Sequence, residues 1–296
     1  MFKKNITVKV IAVILTALFF LPLGSAKAEA AYSIGFQTET VQVTSPSANN
    51  LQYDRSFTIA GTSSLRSVWV CLRGPAGEIT TYPITVYNGS FSKEIWLRFG
   101  AGTYTVWVGD NNKQFDGRIR FEVQNTSTDD YFNLTPSGLV NSDNKAVINL
   151  ANSLTTDSMT EMQKVKAIHS WVTKNIKYDT QAYYAGKIGN YSATDVINRK
   201  LGTCRDYSFA FAALCRASGI ETRVVYGNAW SSSQKKYELH AWNEVNVDGE
   251  WLSVDTTWDA GYIKNSKFVV ASTSKYIGMN PATFNKTHQL TKVTLY

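Results

Sequence analysis

The alternation of apolar and polar residues divides the chain into two regions near residue 125. Between Phe36 and Val123 apolar residues recur at every second position in short runs, and Gly, Pro, Asn and Asp separate these runs at regular intervals. Such alternation, punctuated by turn residues, is typical of the short strands of a β-sandwich. We therefore predict an all-β, immunoglobulin-like sandwich over residues 33–125.

Three tryptophans of this region, Trp69, Trp96 and Trp107, lie in strand-like runs, and valines flank Trp69 and Trp107 on both sides. Either residue type can fill the core face of a strand, so two interpretations stay open: the tryptophans form the core, or they form an exposed aromatic patch that binds sugars or extended peptides. We expect residues 33–125 to fold independently, as a spacer or a targeting module for cell-wall or extracellular polymer.

The apolar period changes after a polar stretch that begins near residue 124, and we interpret residues 126–139 as a linker. Beyond it, helical spacing predicts helices near residues 144–154, 160–175, 194–200 and 204–218, and strand-like runs follow from residue 220. Helices followed by antiparallel strands indicate an α+β fold and not a doubly wound sheet. Residues 140–296 form this second predicted domain.

The first 28 residues have the pattern of a secretory signal peptide. A positively charged start precedes an apolar stretch, and Ala26 and Ala28 offer a small-residue cleavage site. The alternative, a transmembrane anchor, needs about twenty uninterrupted apolar residues. We therefore expect a secreted, extracellular protein, associated with the cell wall or free, that is not held in a membrane after cleavage.

Cleavage of that segment changes the charge of the protein. The segment contains four lysines and no acid, so its removal lowers the formal net charge from +7 to +3. A charge of this size is too small to predict binding to nucleic acid, although it is compatible with loose attraction to an anionic wall.

Cys204 is the first candidate for chemistry. It follows a Gly-Thr turn and begins an apolar run that ends at Gly219, so it is predicted at the N-terminus of a buried helix. Unpaired N–H groups and the positive end of the helix dipole favour a thiolate at this position. Cys215 lies three turns further on nearly the same face and is expected to be a buried small hydrophobe. A disulfide between Cys71 and Cys215 is the alternative.

His240 and Asp255 are the second and third candidates. If Asp248 and Gly249 form a two-residue hairpin turn, His240 is opposite Thr257, and Asp255 lies on the same face as His240. The two residues are then diagonal neighbours, roughly 7–8 Å apart at the backbone, which their side chains can bridge. A three-residue loop would place them on opposite faces unless a bulge restored the phase.

Three sequence blocks carry a resemblance to a known family. They are G-x-C-R-D-Y-S at Cys204, H-A-W-N-E-V at His240, and D-G-E-W-x-x-V-D-T-T-W at Asp255. Their order resembles the transglutaminase-like superfamily, whose core is related to papain-like cysteine peptidases, over residues 140–290. The resemblance implies a catalytic Cys-His-Asp triad formed by Cys204, His240 and Asp255.

The resemblance also implies an oxyanion donor beside the Cys204 amide, for which Tyr178 is the candidate, with Trp171 as the alternative. No segment has the alternating carboxylates of a calcium loop, so no metal and no cofactor is predicted. His169 is expected at the edge of the core and His288 at the surface of a polar tail.

The predicted function is a secreted acyl-transfer enzyme that attacks protein or peptide amides and forms a thioester. Hydrolysis by the same site, as a cysteine peptidase, isopeptidase or deamidase, is the alternative within enzymes. A non-catalytic wall- or matrix-binding protein is the alternative from another class. The expected partners are protein or peptide substrates and, for the sandwich, cell-wall or extracellular polymer.

Overall fold

Eight strands form two sheets in the N-terminal region. The structure is a computed structural model that describes residues 37–232 and 234–296, so the predicted signal peptide, residues 1–28, lies outside the described residues. The strands are β1 (Val41–Ser45), β2 (Leu51–Tyr53), β3 (Ser56–Ser63), β4 (Ser67–Arg73), β5 (Ile79–Thr85), β6 (Ser90–Trp96), β7 (Gly102–Gly109) and β8 (Ile119–Asn125). One sheet has the order β1-β3-β6 and the other β2-β8-β7-β4-β5, in which β2 runs parallel to β8.

The valines, and not the tryptophans, fill the core of this region. Trp69 and Trp107 lie half-buried on the opposite face of the five-stranded sheet, where the guanidinium of Arg120 is 5.8 Å from the centre of the Trp107 ring. The buried valines beside them are Val68, Val70, Val106 and Val108. Both tryptophans therefore lie on the outer face of the sheet, as an exposed aromatic patch requires, but both indoles are partly covered. The targeting role of the sandwich stays a prediction, as does its immunoglobulin-like class.

The segment that was predicted as a linker, residues 126–139, contains no helix or strand, yet much of it is buried. Arg98 of the sandwich donates hydrogen bonds to the carbonyl oxygens of Phe132 at 3.2 Å and Leu295 at 3.3 Å. Tyr131 donates to the Leu97 carbonyl at 3.0 Å. The described residues belong to one compact unit, Tyr32–Tyr296. The division into separately folding domains stays a prediction.

The C-terminal region mixes helices and strands, which confirms the α+β class. Its helices are α1 (Lys145–Leu154), α2 (Glu161–Asn175), α3 (Thr180–Ala185), α4 (Ala193–Arg199), α5 (Cys204–Ala217), α6 (Thr256–Ala260) and α7 (Pro281–Phe284). Its strands are β9 (Lys177–Tyr178), β10 (Leu201–Gly202), β11 (Thr222–Ser231), β12 (Lys236–Val247), β13 (Glu250–Val254), β14 (Gly261–Lys264), β15 (Lys267–Val270) and β16 (His288–Val293). Within the described ranges, none of the helices has the length and hydropathy that a membrane crossing requires.

Helix α5 is the centre of this region. Nearly all of its residues after Arg205 are buried, because α1, α2 and α4 cover it together with the sheet of order β13-β12-β11-β16. The apolar run from Phe209 to Cys215 supplies the contacts on all sides. A helix surrounded in this way holds its first residue in a fixed position, and that residue is Cys204.

The turn between β12 and β13 is the predicted two-residue hairpin. Val247 pairs with Glu250, and Asp248 and Gly249 both have positive φ angles of 53° and 87°, as a type I′ turn requires. The pairing continues only to Asn243 and Val254. The predicted opposition of His240 and Thr257 is therefore wrong, because the chain leaves the ladder after Val254 and begins α6.

Candidate active site

Cys204 begins α5 and lines a cleft. Asp206 caps this helix: its Oδ2 accepts hydrogen bonds from the Thr203 backbone N–H at 2.8 Å and the Thr203 hydroxyl at 3.2 Å. Burial raises the pKa of the Asp206 carboxyl. A Cβ at Gly202 would lie 2.4 Å from the Asp206 Cβ, so the turn needs glycine here. The local sequence thus fixes Cys204 at a helix N-terminus, half-buried and reachable from the cleft.

His240 and Asp255 meet through their side chains. Nε2 of His240 lies 2.8 Å from Oδ2 of Asp255. Asp255 is also the N-cap of α6, and its Oδ1 accepts the backbone N–H groups of Thr257 at 2.9 Å and Trp258 at 3.0 Å. These two amides fix the plane of the carboxylate. The turn into α6, and not a continuous strand ladder, therefore aims Asp255 at the histidine.

Neighbouring groups favour the ionised form of Asp255 and the protonated form of His240. Burial opposes ionisation of Asp255, but the charge and hydrogen bond of His240, with those of His288, outweigh it and lower the pKa of the carboxyl well below its usual value. Burial also disfavours the imidazolium of His240, yet Asp255 and the hydrogen bond with Cys204 raise its pKa to about 10. An ionised carboxylate only accepts hydrogen bonds, so Nε2 of His240 carries a proton and Nδ1 is left for Cys204.

The cleft has a volume of about 490 Å³ and a largely aromatic and apolar wall. Its walls include α3, the ends of β11 and β12, and the β14–β15 hairpin. The residues that line the cleft include Tyr178, Tyr183, Cys204, Trp230, Glu238, Leu239, His240, Trp258, Tyr262 and Phe268. Every residue that lines this cleft lies at or after Tyr178, so the sandwich contributes none of its described wall.

Tyr178, the candidate oxyanion donor, lies on the wall of this cleft beside Cys204. Its ring stacks on Phe268 with centroids 5.2 Å apart. Burial, followed by the charges of Cys204 and neighbouring groups, raises the pKa of the phenol strongly, so Tyr178 keeps its proton and can donate it in a hydrogen bond. Both Tyr178 and Trp171 pack against the hydrophobic core, but Trp171 is not among the residues that line the cleft. The arrangement favours Tyr178 over Trp171 for the candidate role.

His288 does not lie at the surface, so that prediction is wrong. It is 1% exposed, and its Nε2 lies 3.0 Å from the same Asp255 oxygen that His240 contacts. Its ring stacks on Phe284 at 3.9 Å and lies 4.3 Å from the Trp258 ring. The physical reason is strand pairing: β16 forms the edge beside β11 and carries His288 inward at its first residue.

His169 forms a second buried pair one turn further along α6. It is 2% exposed, and its Nε2 lies 2.9 Å from Oδ2 of Asp259. Asp259 also accepts the backbone N–H groups of Lys275 at 2.8 Å and Tyr276 at 3.0 Å. The Tyr276 carbonyl in turn accepts the Asp255 N–H at 3.2 Å. This pair supports the loop behind the site, and among the described residues it makes no hydrogen bond to Cys204 or His240.

Asn243 connects the strand of the histidine with the helix of the cysteine. It is fully buried, and its Nδ2 donates to the Ser208 carbonyl at 3.1 Å. Its neighbour Glu244 instead accepts a hydrogen bond from Arg223 at 2.7 Å on the half-buried side of the sheet. Asn243 therefore helps to fix the separation between α5 and β12, on which the distance from Cys204 to His240 depends.

One group of side chains has the composition of a metal site. The ligand atoms of His240, Asp255 and His288 all lie within 4.8 Å of one another. Because the pKa of Asp255 is lowered and an ionised carboxylate only accepts hydrogen bonds, we assign N–H donors to both histidine nitrogens at Oδ2. Metal ligation instead needs both nitrogens without protons. The group is therefore arranged as a carboxylate with two N–H donors. The expectation that the protein uses no metal stays a prediction.

The other two cysteines are chemically separate from Cys204. Cys71 and Cys215 are both buried and free, so the alternative of a disulfide between them is wrong. Cys215 is fully buried, as predicted, and burial raises the pKa of its thiol strongly. Burial also raises the pKa of the Cys71 thiol.

Comparison with known proteins agrees with the geometry. Residues 148–256 match the family described as the transglutaminase-like superfamily. The human protein named kyphoscoliosis peptidase is 29% identical over 147 residues, which are 47% of this chain and 22% of that protein. The chain thus spans about a fifth of the length of this curated relative.

Solved structures with a similar chain course include the transglutaminase of red sea bream and the periplasmic domain of TgpA from Pseudomonas aeruginosa. The first is 10% identical, with a TM-score of 0.32 over 82% of this chain and 52% of that chain. The second is 17% identical, with a TM-score of 0.34 over 76% of this chain and 74% of that chain. On the sequence match, the region of this chain that holds Cys204, His240 and Asp255 belongs to the transglutaminase-like superfamily.

Proposed function

We propose that this protein is an exported cysteine enzyme that attacks protein or peptide amides and forms a thioester on Cys204. The observation that carries the proposal is the shared histidine. Nε2 of His240 is committed to Asp255 at 2.8 Å, while the same ring contacts the thiol of Cys204 at the start of a buried helix and in an open cleft. Nucleophile, base and orienting carboxylate are thus in one chain of contacts.

Before the attack, Nδ1 of His240 holds the proton taken from the Cys204 thiol, because the raised pKa of His240 favours the imidazolium. The thiolate then attacks the amide carbonyl carbon, and the carbonyl oxygen becomes an oxyanion. Asp255 keeps the proton on Nε2 and balances the charge of the imidazolium. The imidazolium gives its proton to the leaving amine as the C–N bond breaks. The acyl group remains on Cys204 as a thioester.

The oxyanion needs hydrogen-bond donors that are already in place. The backbone N–H of Cys204 belongs to the first turn of α5, where N–H groups lack partners inside the helix. The phenol of Tyr178 lies on the same wall of the cleft and retains its proton. We assign these two groups as the oxyanion donors.

The second half of the reaction depends on which nucleophile reaches the thioester. A primary amine gives transfer and a new amide, whereas water gives hydrolysis. His240 accepts the proton of either nucleophile, and the C–S bond of the thioester breaks to release Cys204 as the thiolate beside the imidazolium. The largely aromatic wall of the cleft favours an amine over water, and we place transfer first. Hydrolysis is the second candidate, and the similarity of 147 residues to a protein named a peptidase supports it.

We also propose export and a location at the cell wall. The support for export is the charged, apolar and small-residue pattern of residues 1–28. The support for wall binding is the outer face of the sandwich, where Trp69 and Trp107 are half-buried and not part of the core. Aromatic side chains at a surface are suited to sugars and extended peptides.

Mass spectrometry of a glutamine-containing peptide, incubated with the protein and a primary amine, tests the reaction. Transfer replaces the side-chain amide with the amine, deamidation adds about one mass unit, and peptidase activity gives two fragments. The Cys204→Ala variant should give none of these products. An unchanged peptide with the wild-type protein, across amide substrates of both kinds, would favour the non-catalytic alternative.

A further inference from the structure

Asp255 has one more partner than a Cys-His-Asp triad requires. Its Oδ1 is occupied by two backbone N–H groups, and its Oδ2 accepts from both His240 at 2.8 Å and His288 at 3.0 Å. A triad needs only one histidine on the carboxylate. His288 also lies outside residues 148–256, which match the transglutaminase-like superfamily. The triad alone therefore does not explain why His288 contacts the same oxygen of Asp255.

The surroundings of His288 hold its ring in one orientation. The ring stacks on Phe284 with an interplanar angle of 15°, and its Nδ1 lies 3.0 Å from the Thr287 hydroxyl. Backbone pairing of His288 with Ala229 anchors the residue to β11. A histidine that only filled space would not need both nitrogens directed at polar partners. The ring is placed so that Nε2 faces Asp255.

We propose that His288 is a positioning residue that keeps Oδ2 of Asp255 directed at His240 and takes a share of its negative charge. Asp255 is buried, and among the described residues these two side chains are the partners of its Oδ2. With both in place, neither histidine receives the full charge of the carboxylate. His288 thereby limits how strongly Asp255 holds the proton on His240.

The consequence for chemistry follows from the two tasks of His240. It must accept a proton from the thiol and then release it to the leaving amine, and an imidazolium held too tightly performs the second task poorly. Removal of the His288 donor concentrates the charge of Asp255 on His240, so the pKa of His240 should rise and the release of the proton should slow. The step through His240 rests on the proposed function, whereas the hydrogen bond does not.

The other charged or titratable groups near Asp255 do not replace His288. Asp259 lies one turn along α6 and is itself occupied by His169. Tyr276 comes from the segment after β15, and burial, followed by the charges of both aspartates, raises the pKa of its phenol, so it remains neutral. Within the described part of the chain, Cys204 interacts with His240, and His240 with Asp255. Removal of His288 should therefore change the pKa of His240.

Histidine NMR titration tests the proposal without any substrate. The background is Cys204→Ala, which removes the thiol as a second influence on His240, and the chain has only three histidines to assign. Adding His288→Phe, which keeps an aromatic ring against Phe284, should raise the pKa of His240 by about one pH unit, the scale of one hydrogen bond to a buried charge. Adding His288→Gln, which retains an N–H donor, should leave the pKa of His240 near the background value.

His169→Phe is the matched control. It removes an equally buried histidine from the neighbouring aspartate, so it should lower stability without a change in the pKa of His240. An unchanged or lowered pKa of His240 in a folded His288→Phe protein overturns the proposal. If that variant does not fold, ¹⁵N spectra of the Cys204→Ala protein decide: a proton on Nε2 of His288 is expected, and an unprotonated Nε2 overturns the proposal.

An activity measurement separates this inference from the proposed function. In the protein with Cys204 intact, His288→Phe should lower kcat about tenfold, equivalent to one pKa unit, and leave KM unchanged, and His288→Gln should restore most of kcat. If the NMR result is as expected but wild-type protein turns over no amide, the proposed function fails and the role of His288 on Asp255 stands. If turnover is present and the NMR result is contrary, only the inference fails.

Discussion

The N-terminal sandwich and the C-terminal α+β region bury different kinds of side chain. The sandwich core consists of aliphatic and aromatic residues, and a buried polar residue such as Asn125 lies at the end of a strand, where it donates to carbonyl oxygens. The α+β region buries six acidic or histidine side chains: His169, Asp206, His240, Asp255, Asp259 and His288.

This difference separates what the two regions are built to do. A buried charge is costly unless it is paired and hydrogen-bonded, and an apolar replacement of similar volume is often as stable or more stable. Apart from Arg98, which bonds to the carbonyls of Phe132 and Leu295, the sandwich has the composition that stability alone favours. The α+β region keeps paired histidines and aspartates at and behind one cleft, where a nucleophile and its base need them. Changes in the two regions should therefore have different effects on reaction and on stability.

The largest effect is expected for the nucleophile. Cys204→Ala should abolish turnover and leave the free energy of unfolding nearly unchanged, because the side chain borders an open cleft. Cys215→Ala, in the same helix, should keep turnover and lower stability by about 1 kcal/mol through the cavity it creates. Paired kinetic and urea-unfolding measurements make the comparison. Equal loss of activity in both variants at equal stability contradicts the assignment.

The next largest effect is expected for the orienting carboxylate. Asp255→Asn should retain the cap of α6, since the amide oxygen can still accept from Thr257, but the amide no longer favours the productive tautomer of His240. We expect a fall in kcat of about 10⁴-fold, the scale of the same change in a serine triad. Near wild-type kcat would show that another group orients His240.

Removal of the sandwich should act on stability and not on the chemistry. Its residues line no part of the described cleft, but buried Arg98 bonds to the carbonyls of Phe132 and Leu295. A chain of residues 130–296 should therefore unfold more easily, by about 3 kcal/mol for the exposed contacts. When folded, it should turn over a small substrate at the wild-type rate. Arg98→Met in the full chain is the matched control, because it removes the hydrogen bonds of Arg98 and keeps the sandwich.

The opposite result for the truncated chain would be informative. Loss of small-substrate turnover in a stably folded 130–296 protein means that the sandwich helps to shape the cleft. In that case the contrast between a structural and a chemical region no longer holds. Binding of both proteins to isolated wall material, measured by sedimentation, tests the targeting role separately.

A smaller effect is expected from pH. The pKa of His240 is raised from 6.5 to about 10 in the folded protein, so its interaction with Asp255 contributes stability that is fully present below pH 6.5 and is lost as pH rises toward 10. Unfolding free energies measured between pH 6 and 10 should fall more steeply for wild type than for His240→Gln. Parallel curves would contradict the raised pKa.

Much of the site could be predicted from sequence because its parts lie in local patterns. The Gly-Thr turn and the apolar run placed Cys204 at a helix N-terminus, and the Asp-Gly pair fixed the hairpin of β12 and β13. The predicted strand pairing between His240 and Thr257, from which the position of Asp255 was inferred, was wrong. Asp255 caps α6, and the alternation of apolar and polar residues in a strand does not predict where the chain leaves the strand and begins this helix.

His288 could not be placed from sequence. It stands between Thr287 and Gln289, and the rest of β16 is exposed or partly exposed, so no apolar period marks the strand. Its burial results from pairing with β11, about sixty residues earlier, and from aromatic rings supplied by α6 and α7. The local sequence offered one signal, which was the presence of a histidine in an otherwise polar segment. Tertiary contacts decided its role.

The most direct test of the account is to find the acyl group on the protein. The chain is mixed with an activated acyl ester, quenched in acid, and analysed by intact mass and by peptide mapping. The account predicts a single added acyl group on Cys204, formed far more slowly in His240→Ala and absent in Cys204→Ala. Acylation of Cys71 or Cys215 instead, or no acylation of a folded wild-type protein, would contradict it.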